Sequence, residues 1–288
     1  MTRLGQFIAG KPIGDAVSLL TVFPLSKREL DRERAGQAMT WAPLVGFGLA
    51  IIAAMGIVGM RFGLDPKSPT IAETLGRALD SKVLDNVNPL AAITGIAIIA
   101  LLTRGLHLDG LADTVDGLAA YTGKEQTLEI MRKPDLGPLG MASVVLVLMA
   151  QVSALTHCIN LHRGTVSLVV AMVTGRVVMT LACTPATPAA RSDGLGALVA
   201  GTVSRRNAIV STGLSAAVCI FAGAADLHSL GRISETVHAG FAFLIGCLAA
   251  HLVRAHCVRR LGGITGDVLG CLGEVATTVA LIVMAFGG

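Results

Sequence analysis

Charged residues are scarce in this sequence. Asp, Glu, Lys and Arg together make up 15% of the 288 residues, whereas soluble globular proteins contain about 25%. Hydrophobic residues make up 53%, and the mean hydropathy is +0.70. A water-soluble fold of this length could not bury so much apolar surface. The composition therefore excludes an ordinary soluble domain and indicates a protein of the lipid bilayer.

Other absences exclude further classes of protein. The net charge is only +4, which does not suggest a nucleic-acid partner. No cleavable signal peptide is evident, because the first apolar run, Ile13 to Leu25, contains Asp15 and Pro24; we interpret it as a short helix at the membrane surface. No Cys-x-x-Cys pair occurs, so we interpret the six cysteines as small core residues rather than a zinc site or disulfide framework: Cys158, Cys183, Cys219, Cys247, Cys257 and Cys271.

Long apolar runs, by contrast, are frequent. A membrane-spanning helix needs about 20 apolar residues, and the 34 glycines suit close packing of such helices. The sequence predicts an all-α, polytopic membrane bundle that forms one domain, 1–288, with an N-terminal interfacial helix and a short extramembrane helix around Thr70 to Leu84. About seven spans are predicted: Ala38 to Met60, Pro89 to Thr103, Pro138 to Ile159, Gly164 to Thr184, Asn207 to Ala225, Val237 to Val253 and Val275 to Gly288.

Basic residues orient these spans. If the N-terminus is cytoplasmic, segments 1–37, 104–137, 185–206 and 254–273 face the cytoplasm and contain 16 Lys and Arg. The opposite segments, 61–88, 160–163 and 226–236, contain 6. This bias follows the positive-inside rule. It also places every motif described below on the cytoplasmic face.

Three aspartates follow the second predicted span directly. Asp109, Asp113 and Asp116 are spaced i, i+4, i+7, and at about 100° per residue they fall on one narrow stripe of a helix. Carboxylates this close repel one another, and a bound divalent cation would reverse that cost. The pattern predicts either a solvated acidic face or a cation site. Its position beside a membrane span favours the cation site.

The residue types around this stripe indicate which cation it would bind. Oxygen ligands, with no cysteine and at most one histidine, favour Mg²⁺ or Mn²⁺ over Zn²⁺. His107 falls on the opposite side of the helix or before its start, and it is either a structural hydrogen-bonding residue or a catalytic base. Gly110 and Gly117 flank the stripe, and they would let a ligand or another helix approach.

A glycine-rich segment precedes the last predicted span. Gly263, Thr265 and Gly266 predict a tight turn into a helix N-terminus, an arrangement that suits phosphate binding and equally a plain N-cap. Asp267 and Glu274 are seven residues apart and therefore share one side of that helix. We expect this helix to pack near the acidic one, because both emerge at the same face and their glycines permit the approach.

Arginines lie near both motifs. Arg176 lies inside the predicted span Gly164 to Thr184, where an unpaired charge is costly. We expect it to contact the acidic stripe or a substrate phosphate. Arg104, Arg132 and Arg191 lie in loops on the same face, where they are candidates for phosphate binding and also contribute to the topology.

Together these motifs resemble the signatures of the cobalamin synthase family, the adenosylcobinamide-GDP ribazoletransferases, in order and spacing from residue 5 to residue 285. After the acidic motif many members have Asp-Ser-Arg, whereas this chain has Arg132-Lys-Pro-Asp135, so no role is carried over to Lys133 or Asp135. The matching elements are the acidic stretch His107 to Gly117, Gly175-Arg176 within a span, Ala190-Arg191 with Gly194 to Gly196, and Gly262 to Asp267 with Gly270 and Glu274.

The resemblance implies a reaction and a site. A ribose hydroxyl of α-ribazole, or of its 5′-phosphate, would attack GDP-activated cobinamide and release GMP, forming adenosylcobalamin or its 5′-phosphate at the inner membrane. We expect Mg²⁺ as the cofactor, held by Asp109, Asp113, Asp116, Asp267 and Glu274. His107 and the three stripe aspartates are the catalytic candidates. The substrate-binding candidates are Arg104, Arg132, Arg176, Arg191, Gly263, Thr265 and Gly266. The resemblance leaves association with other corrinoid-pathway enzymes and the oligomeric state open.

Two other classes fit part of the pattern. The CDP-alcohol phosphotransferases also use an aspartate-rich motif on membrane helices, but they have Ala-Arg where this chain has Ala112-Asp113, and their acids are spaced more widely. A cation transporter would also combine several spans with acids, but transporter acids tend to lie near the bilayer midplane. The acids of this chain are predicted at one face.

Overall fold

The structure, a computed structural model, describes residues 11–26, 28–63, 88–224 and 233–286. Within these ranges the chain forms twelve α-helices and no β-strand, and one isolated parallel bridge joins Ala189 to Ile264. This architecture confirms the predicted all-α class. The helices are α1 (Pro12–Leu20), α2 (Arg32–Thr40), α3 (Ala42–Gly63), α4 (Asn88–Leu102), α5 (Leu106–Ala119), α6 (Lys124–Ile130), α7 (Pro138–Asn160), α8 (Gly164–Ala182), α9 (Gly194–Val199), α10 (Arg205–Ala224), α11 (Ile233–Leu261) and α12 (Gly266–Phe286).

Six of these helices, α3, α7, α8, α10, α11 and α12, are long and apolar enough to cross a membrane. A seventh candidate span arises only if α4 and α5 are counted together, and these helices meet at 86°. The prediction of about seven spans is therefore confirmed. α4 is the short one, because its 15 residues extend about 22 Å, less than the ~30 Å of hydrocarbon.

Helices α8 and α12 form the centre of the bundle. Most of each is buried within the protein, 83% and 72%, whereas only 22–28% of α7, α10 and α11 is covered, so those three present most of their surface to lipid. Small residues bring the central pair together. A Cβ at Gly175 of α8 would lie 2.9 Å from the carbonyl oxygen of Gly273 in α12. Such close backbone contact is typical of membrane helices.

Several boundaries differ from the predicted spans. The first span begins at Ala42 rather than Ala38, because α2 ends at Thr40 and Trp41 separates the two helices. The last span begins at Gly266 rather than Val275. Its first turns contain charged and glycine residues that lower local hydropathy, yet neighbouring helices cover them. The predicted helix around Thr70 to Leu84 lies outside the described residues.

The first apolar run forms the predicted helix, α1. Its Asp15 is 2% exposed and accepts hydrogen bonds from Nη2 of Arg34 at 2.7 and 2.8 Å. This ion pair ties α1 to α2. All six cysteines are free thiols, and five of them are buried, as predicted for small core residues.

Candidate active site

The acidic motif begins at a sharp turn after α4. Arg104 and Gly105 both adopt left-handed conformations, with φ of 56° and 65°. The amide of Gly105 donates to the carbonyl of Ala100, and the amide of Arg104 donates to that of Leu101, a common way to end a helix. The chain then begins α5 at 86° to α4. This turn carries the aspartates away from the axis of the span.

The aspartates occupy one side of α5, as their spacing predicts. Asp109 is exposed, and Asp113 and Asp116 are half-buried. His107 lies on the buried side of the helix, 1% exposed. The stripe therefore faces outward, and the opposite side of α5 packs on the bundle.

Helix α5 contacts the first turn of α12 at Gly110. A Cβ at this position would lie 2.6 Å from the carbonyl oxygen of Asp267 and 2.9 Å from its Cα, so only glycine allows this approach. The contact brings the acidic stripe and Asp267 to the same end of the bundle. The predicted meeting of the two motifs is therefore present.

The other glycines expected to permit this approach contact different partners. Gly117 faces the side chain of Met131, and Gly266 faces Leu195. Gly263 lies against the segment 188–190 that follows α8. These expectations were wrong, because helical periodicity shows which side a residue occupies but not which neighbour covers that side.

The turn before α12 is bound to the loop that carries Arg191. The amide of Ile264 donates to the carbonyl of Pro188, and the amide of Ala190 donates to the carbonyl of Ile264, both at 2.9 Å. A Cβ at Gly263 would lie 2.5 Å from the carbonyl carbon of Ala189. The two segments therefore hold each other in place beside the acidic stripe.

Thr265 is the N-cap residue of α12. Its Oγ1 accepts a hydrogen bond from the amide of Val268 and donates one to Oδ2 of Asp267, both at 3.1 Å. The plain N-cap interpretation thus describes Thr265 in this structure. Substrate binding by Gly263, Thr265 and Gly266 stays a prediction.

The charges around Asp113 are crowded. Burial, followed by the negative charges of Asp109, Asp267 and Asp116, raises the pKa of the Asp113 carboxyl to about 6, and Arg191 opposes the shift. Asp113 lies on α5, beyond the 86° turn that follows α4. The raised pKa marks it as the point where added positive charge would be most stabilising.

The positive charge that acts on Asp113 belongs to Arg191. Its Nη1 lies 3.9 Å from Oδ2 of Asp267, and its Nη2 donates to the carbonyl of Leu128 in α6 at 2.7 Å. It therefore connects the acidic group to α6.

The two other loop arginines predicted to bind phosphate contact partners outside the acidic stripe. Arg132 forms an exposed ion pair with Asp193 at 2.7 Å. The Nη2 of Arg104 donates to the carbonyl of Thr21, after α1, at 3.3 Å. Their substrate roles stay predictions.

Asp116 caps the N-terminus of α7. Its Oδ2 accepts from the amide of Gly137 at 2.8 Å, and its Oδ1 accepts from the amide of Gly140 at 2.7 Å. A Cβ on either glycine would collide with the Asp116 carboxylate. Both oxygens are therefore engaged with backbone donors, and the negative charge suits the positive end of the α7 dipole. A metal-ligand role for Asp116 stays a prediction and would have to compete with this cap.

We expect Asp116→Ala to destabilise the protein by about 1–2 kcal/mol, because it removes a charged cap and leaves two amides without an acceptor. Thermal unfolding in detergent measures the loss, and Asp135→Ala, an exposed aspartate in the preceding loop, is the matched control. An unchanged unfolding temperature combined with lost Mg²⁺ affinity would show that Asp116 is a ligand rather than a cap.

A second polar group lies deeper in the bundle. Glu274 is 8% exposed, and its Oε2 accepts a hydrogen bond from Nε2 of Gln151 at 2.7 Å. The same amide nitrogen donates to Oγ1 of Thr278 at 2.9 Å. Because Glu274 is two turns beyond Asp267 on α12, it lies about 10 Å farther along the helix. The structure thus separates Glu274 from the acidic stripe, and its ligand role stays a prediction.

Arg176 and His107 belong to this inner group. Arg176 is 1% exposed, and Glu274 provides the opposing charge nearby. Nε of Arg176 and both ring nitrogens of His107 have no hydrogen-bond partner within the described ranges. The sequence predicts that Arg176 contacts the acidic stripe or a substrate phosphate. The acid near Arg176 is Glu274, which does not belong to the stripe. The predicted role of His107 as a base has no contact with the stripe to support it and stays a prediction.

We expect Arg176→Leu to lower stability by about 2 kcal/mol, because Glu274 would lose its counter-charge in a medium of low dielectric. The double variant Arg176→Leu/Glu274→Leu should recover most of that loss. Thermal unfolding of the two single variants and the double variant gives the coupling energy. If the stability losses of the two single variants simply add up in the double variant, the two charges are not coupled.

The acidic site fits Mg²⁺ only if other ligands complete the coordination shell. Among the described residues, no three His, Cys, Asp or Glu side chains form a group that could hold a metal ion by themselves. Mg²⁺, however, commonly binds through one or two carboxylates and completes its shell with water and substrate phosphates. Asp109, Asp113 and Asp267 offer only oxygen ligands and lie close enough to perturb one another. They fit an ion whose coordination a phosphate substrate completes.

Fold and site together define a polytopic helical membrane protein with an acidic site at one end of its bundle. The family model described as cobalamin-5-phosphate synthase matches residues 13–285. The chain belongs to the cobalamin-5-phosphate synthase family. This assignment decides between the three classes considered from the sequence.

Curated relatives named adenosylcobinamide-GDP ribazoletransferase agree with the assignment. The protein of Frankia casuarinae is 43% identical over 273 residues, which is 94% of this chain and 92% of the relative. That of Desulforamulus reducens is 30% identical and covers 94% and 95%. That of Nocardioides sp. is 32% identical and covers 94% and 96%. The relatives are thus transferases of nearly the same length. No solved structure matches the chain.

Proposed function

We propose that this chain is an adenosylcobinamide-GDP ribazoletransferase in the nucleotide-loop assembly step of cobalamin biosynthesis. It joins GDP-activated cobinamide to α-ribazole or α-ribazole 5′-phosphate and forms adenosylcobalamin or its 5′-phosphate. The observation that carries the proposal is the family match over residues 13–285. The meeting of Asp113, Asp267 and Arg191 at one end of the bundle supports it.

The reaction breaks a phosphoanhydride bond of the diphosphate and forms a phosphate ester bond. The acceptor hydroxyl loses its proton, and its oxygen bonds to the phosphorus that stays on cobinamide. The bond from that phosphorus to the bridging oxygen breaks, and GMP leaves with this oxygen. Because the 5′-oxygen is already esterified in α-ribazole 5′-phosphate, the hydroxyl common to both acceptors is a secondary one of the ribose. Such a transfer depends mainly on positioning and charge neutralisation.

Different residues of the chain would position the substrates and neutralise their charge. One or two carboxylates among Asp109, Asp113 and Asp267 would hold Mg²⁺, and the negative charges of the other two act on Asp113. When bound, Mg²⁺ neutralises the diphosphate and the charge that develops as GMP departs. Arg191, fixed through the Leu128 carbonyl, can donate hydrogen bonds to phosphate oxygens.

The test is turnover by the purified protein in detergent. GDP-cobinamide, α-ribazole and Mg²⁺ should yield GMP and a joined corrinoid in equal amounts. Release of GMP without a joined corrinoid would mean hydrolysis. The absence of both products would contradict the proposed function. Chelation of Mg²⁺ is a separate experiment. An unchanged rate after chelation would contradict the proposed metal requirement but not the proposed reaction.

We further propose that the acidic site faces the cytoplasm at the inner membrane, on the basis of the bias of basic residues. Tyr121, which follows α5, is 90% exposed, and His162 is exposed in the turn between α7 and α8. In intact cells a membrane-impermeant maleimide should label His162→Cys but not Tyr121→Cys. Labelling of both after lysis is the control. Labelling of Tyr121→Cys in intact cells would reverse the proposed orientation.

A further inference from the structure

A second feature of the bundle has no part in the acidic site. A groove runs between α3 and α10, with α8 as its floor, and it encloses about 650 Å³. Its walls are largely apolar and include Leu44, Phe47, Val173, Leu214 and Val218. The side chains of Leu44 and Leu214 are exposed at its rim. The groove therefore opens toward the space that lipid fills.

One end of this groove is polar. Trp41, Arg206 and Asn207 line it there. This is the same end of the bundle as the acidic site, because Arg191, after the end of α8, and Arg206, in the first turn of α10, both lie where the chain passes from α8 through α9 to α10. The groove thus begins at a membrane boundary and runs inward along α10.

We propose that this groove binds one anionic phospholipid, with the phosphate at Arg206 and an acyl chain along α10. The proposal is independent of the transferase activity. It rests on charge, length and surface chemistry, which together select a lipid over other occupants.

Charge selects an anionic headgroup. Arg205 and Arg206 are exposed, and neither forms an ion pair or side-chain hydrogen bond with any residue of the described ranges. Both lie in the first turn of α10, a helix of 20 residues whose positive dipole end adds to their charge. Basic pockets between spans are typical binding sites for anionic headgroups. Trp41, 45% exposed, is the aromatic type that lies at headgroup level.

Length selects an acyl chain. The groove follows α10 from Arg206 to Val218, which at 1.5 Å per residue is about 18 Å. One leaflet contributes about half of the ~30 Å of hydrocarbon. The groove therefore matches one leaflet, whereas a spanning helix of a second copy would need a contact about twice as long.

The test uses phosphatidylglycerol and phosphatidylcholine added to the lipid-depleted protein in detergent, with native mass spectrometry and thermal shift as readouts. Phosphatidylglycerol should bind with a 1:1 limit and raise the unfolding temperature more than phosphatidylcholine. Arg206→Gln should weaken this binding about fivefold, the effect of one arginine near a headgroup. Arg205→Gln removes the same charge from a residue that does not line the groove, and it should have little effect.

A second pair of variants tests the groove itself. Val210→Trp places a large ring in the groove and should abolish the 1:1 binding, whereas Ile209→Trp, exposed on α10 outside the lining, should not. Equal weakening by Arg205→Gln and Arg206→Gln would show diffuse attraction and overturn the proposal. So would equal binding of both lipids. Conversion of a dimer to a monomer by Val210→Trp, with lipid binding unchanged, would show that a second copy occupies the groove.

Discussion

Asp113→Asn should abolish most turnover, by a factor of about 10²–10³ or more, while the protein stays folded. The substitution keeps the shape of the side chain but removes the charge at the most crowded point of the site. Loss of one preorganised electrostatic contact typically costs this much in rate. The Mg²⁺ concentration needed for half-maximal activity should also rise. Activity as a function of Mg²⁺ in detergent measures both effects.

The same variant should be more stable than the parent when Mg²⁺ is absent. The pKa of Asp113 is raised to about 6, above the roughly 3.9 of an unfolded aspartate. The folded state therefore binds more protons between these values and loses stability as the pH rises through 6. Because the carboxyl is half-exposed, solvent screening limits the difference to about 1 kcal/mol. The advantage of Asp113→Asn should appear above pH 6 and vanish below about pH 4.

Asp135→Asn, in the exposed loop before α7, controls for the loss of one negative charge and should change neither turnover nor this pH dependence. If Asp113→Asn and Asp109→Asn both turned over GDP-cobinamide at the parent rate with an unchanged Mg²⁺ response, the stripe would be a solvated acidic face. The proposed site would then be wrong.

Gly110→Ala should lower turnover by about 100-fold. The new methyl group would lie 2.6 Å from the carbonyl oxygen of Asp267, where ordinary contact begins at 3.4 Å. Backbone must move to relieve this overlap, so the stripe and Asp267 separate by several tenths of an ångström. A displacement approaching 1 Å at reacting groups can cost about 10² in rate. Steady-state kinetics measure the loss, and we expect it mainly in kcat.

Helix propensity provides the control for this variant. Alanine is favoured over glycine inside a helix by about 0.5–1 kcal/mol, so an unhindered substitution should raise stability. Gly213 of α10 has nothing within 4 Å of an added Cβ, and Gly213→Ala should be fully active and slightly more stable. If Gly110→Ala behaved in the same way, the close contact between α5 and α12 would not position the site.

Much of the fold follows from the sequence because lipid imposes long apolar helices. The seven predicted spans all correspond to helices, and the spacing of Asp109, Asp113 and Asp116 correctly predicts their common side. The residues at which helices begin and end are harder to predict from hydropathy. Hydropathy places the last span at Val275, because the charges and glycines before it resemble a loop until neighbouring helices are seen to cover them.

The inner polar group and the cap of α7 were not predicted, because both depend on contacts between distant helices. Gln151 has an amide side chain in the middle of an apolar span. From the sequence alone, that position indicates a buried hydrogen-bond partner. Its partner, Glu274, lies on another helix. Gly137 and Gly140 form a Gly-x-x-Gly pattern at the start of α7, but only the packing of α5 against that start shows that the pattern accommodates Asp116.

The contact between Gly110 and Asp267 joins a helix from the first half of the chain to the last helix of the chain. During synthesis, α5 therefore emerges from the ribosome and reaches the membrane well before α12 has been translated. In that interval Gly110 has no Asp267 to contact, and the loop that carries Arg191 has no turn at Ile264 to pair with. The contact forms only after α12 is inserted, so a chain truncated before Gly266 would contain most of the candidate spans but not the meeting of the acidic stripe with Asp267.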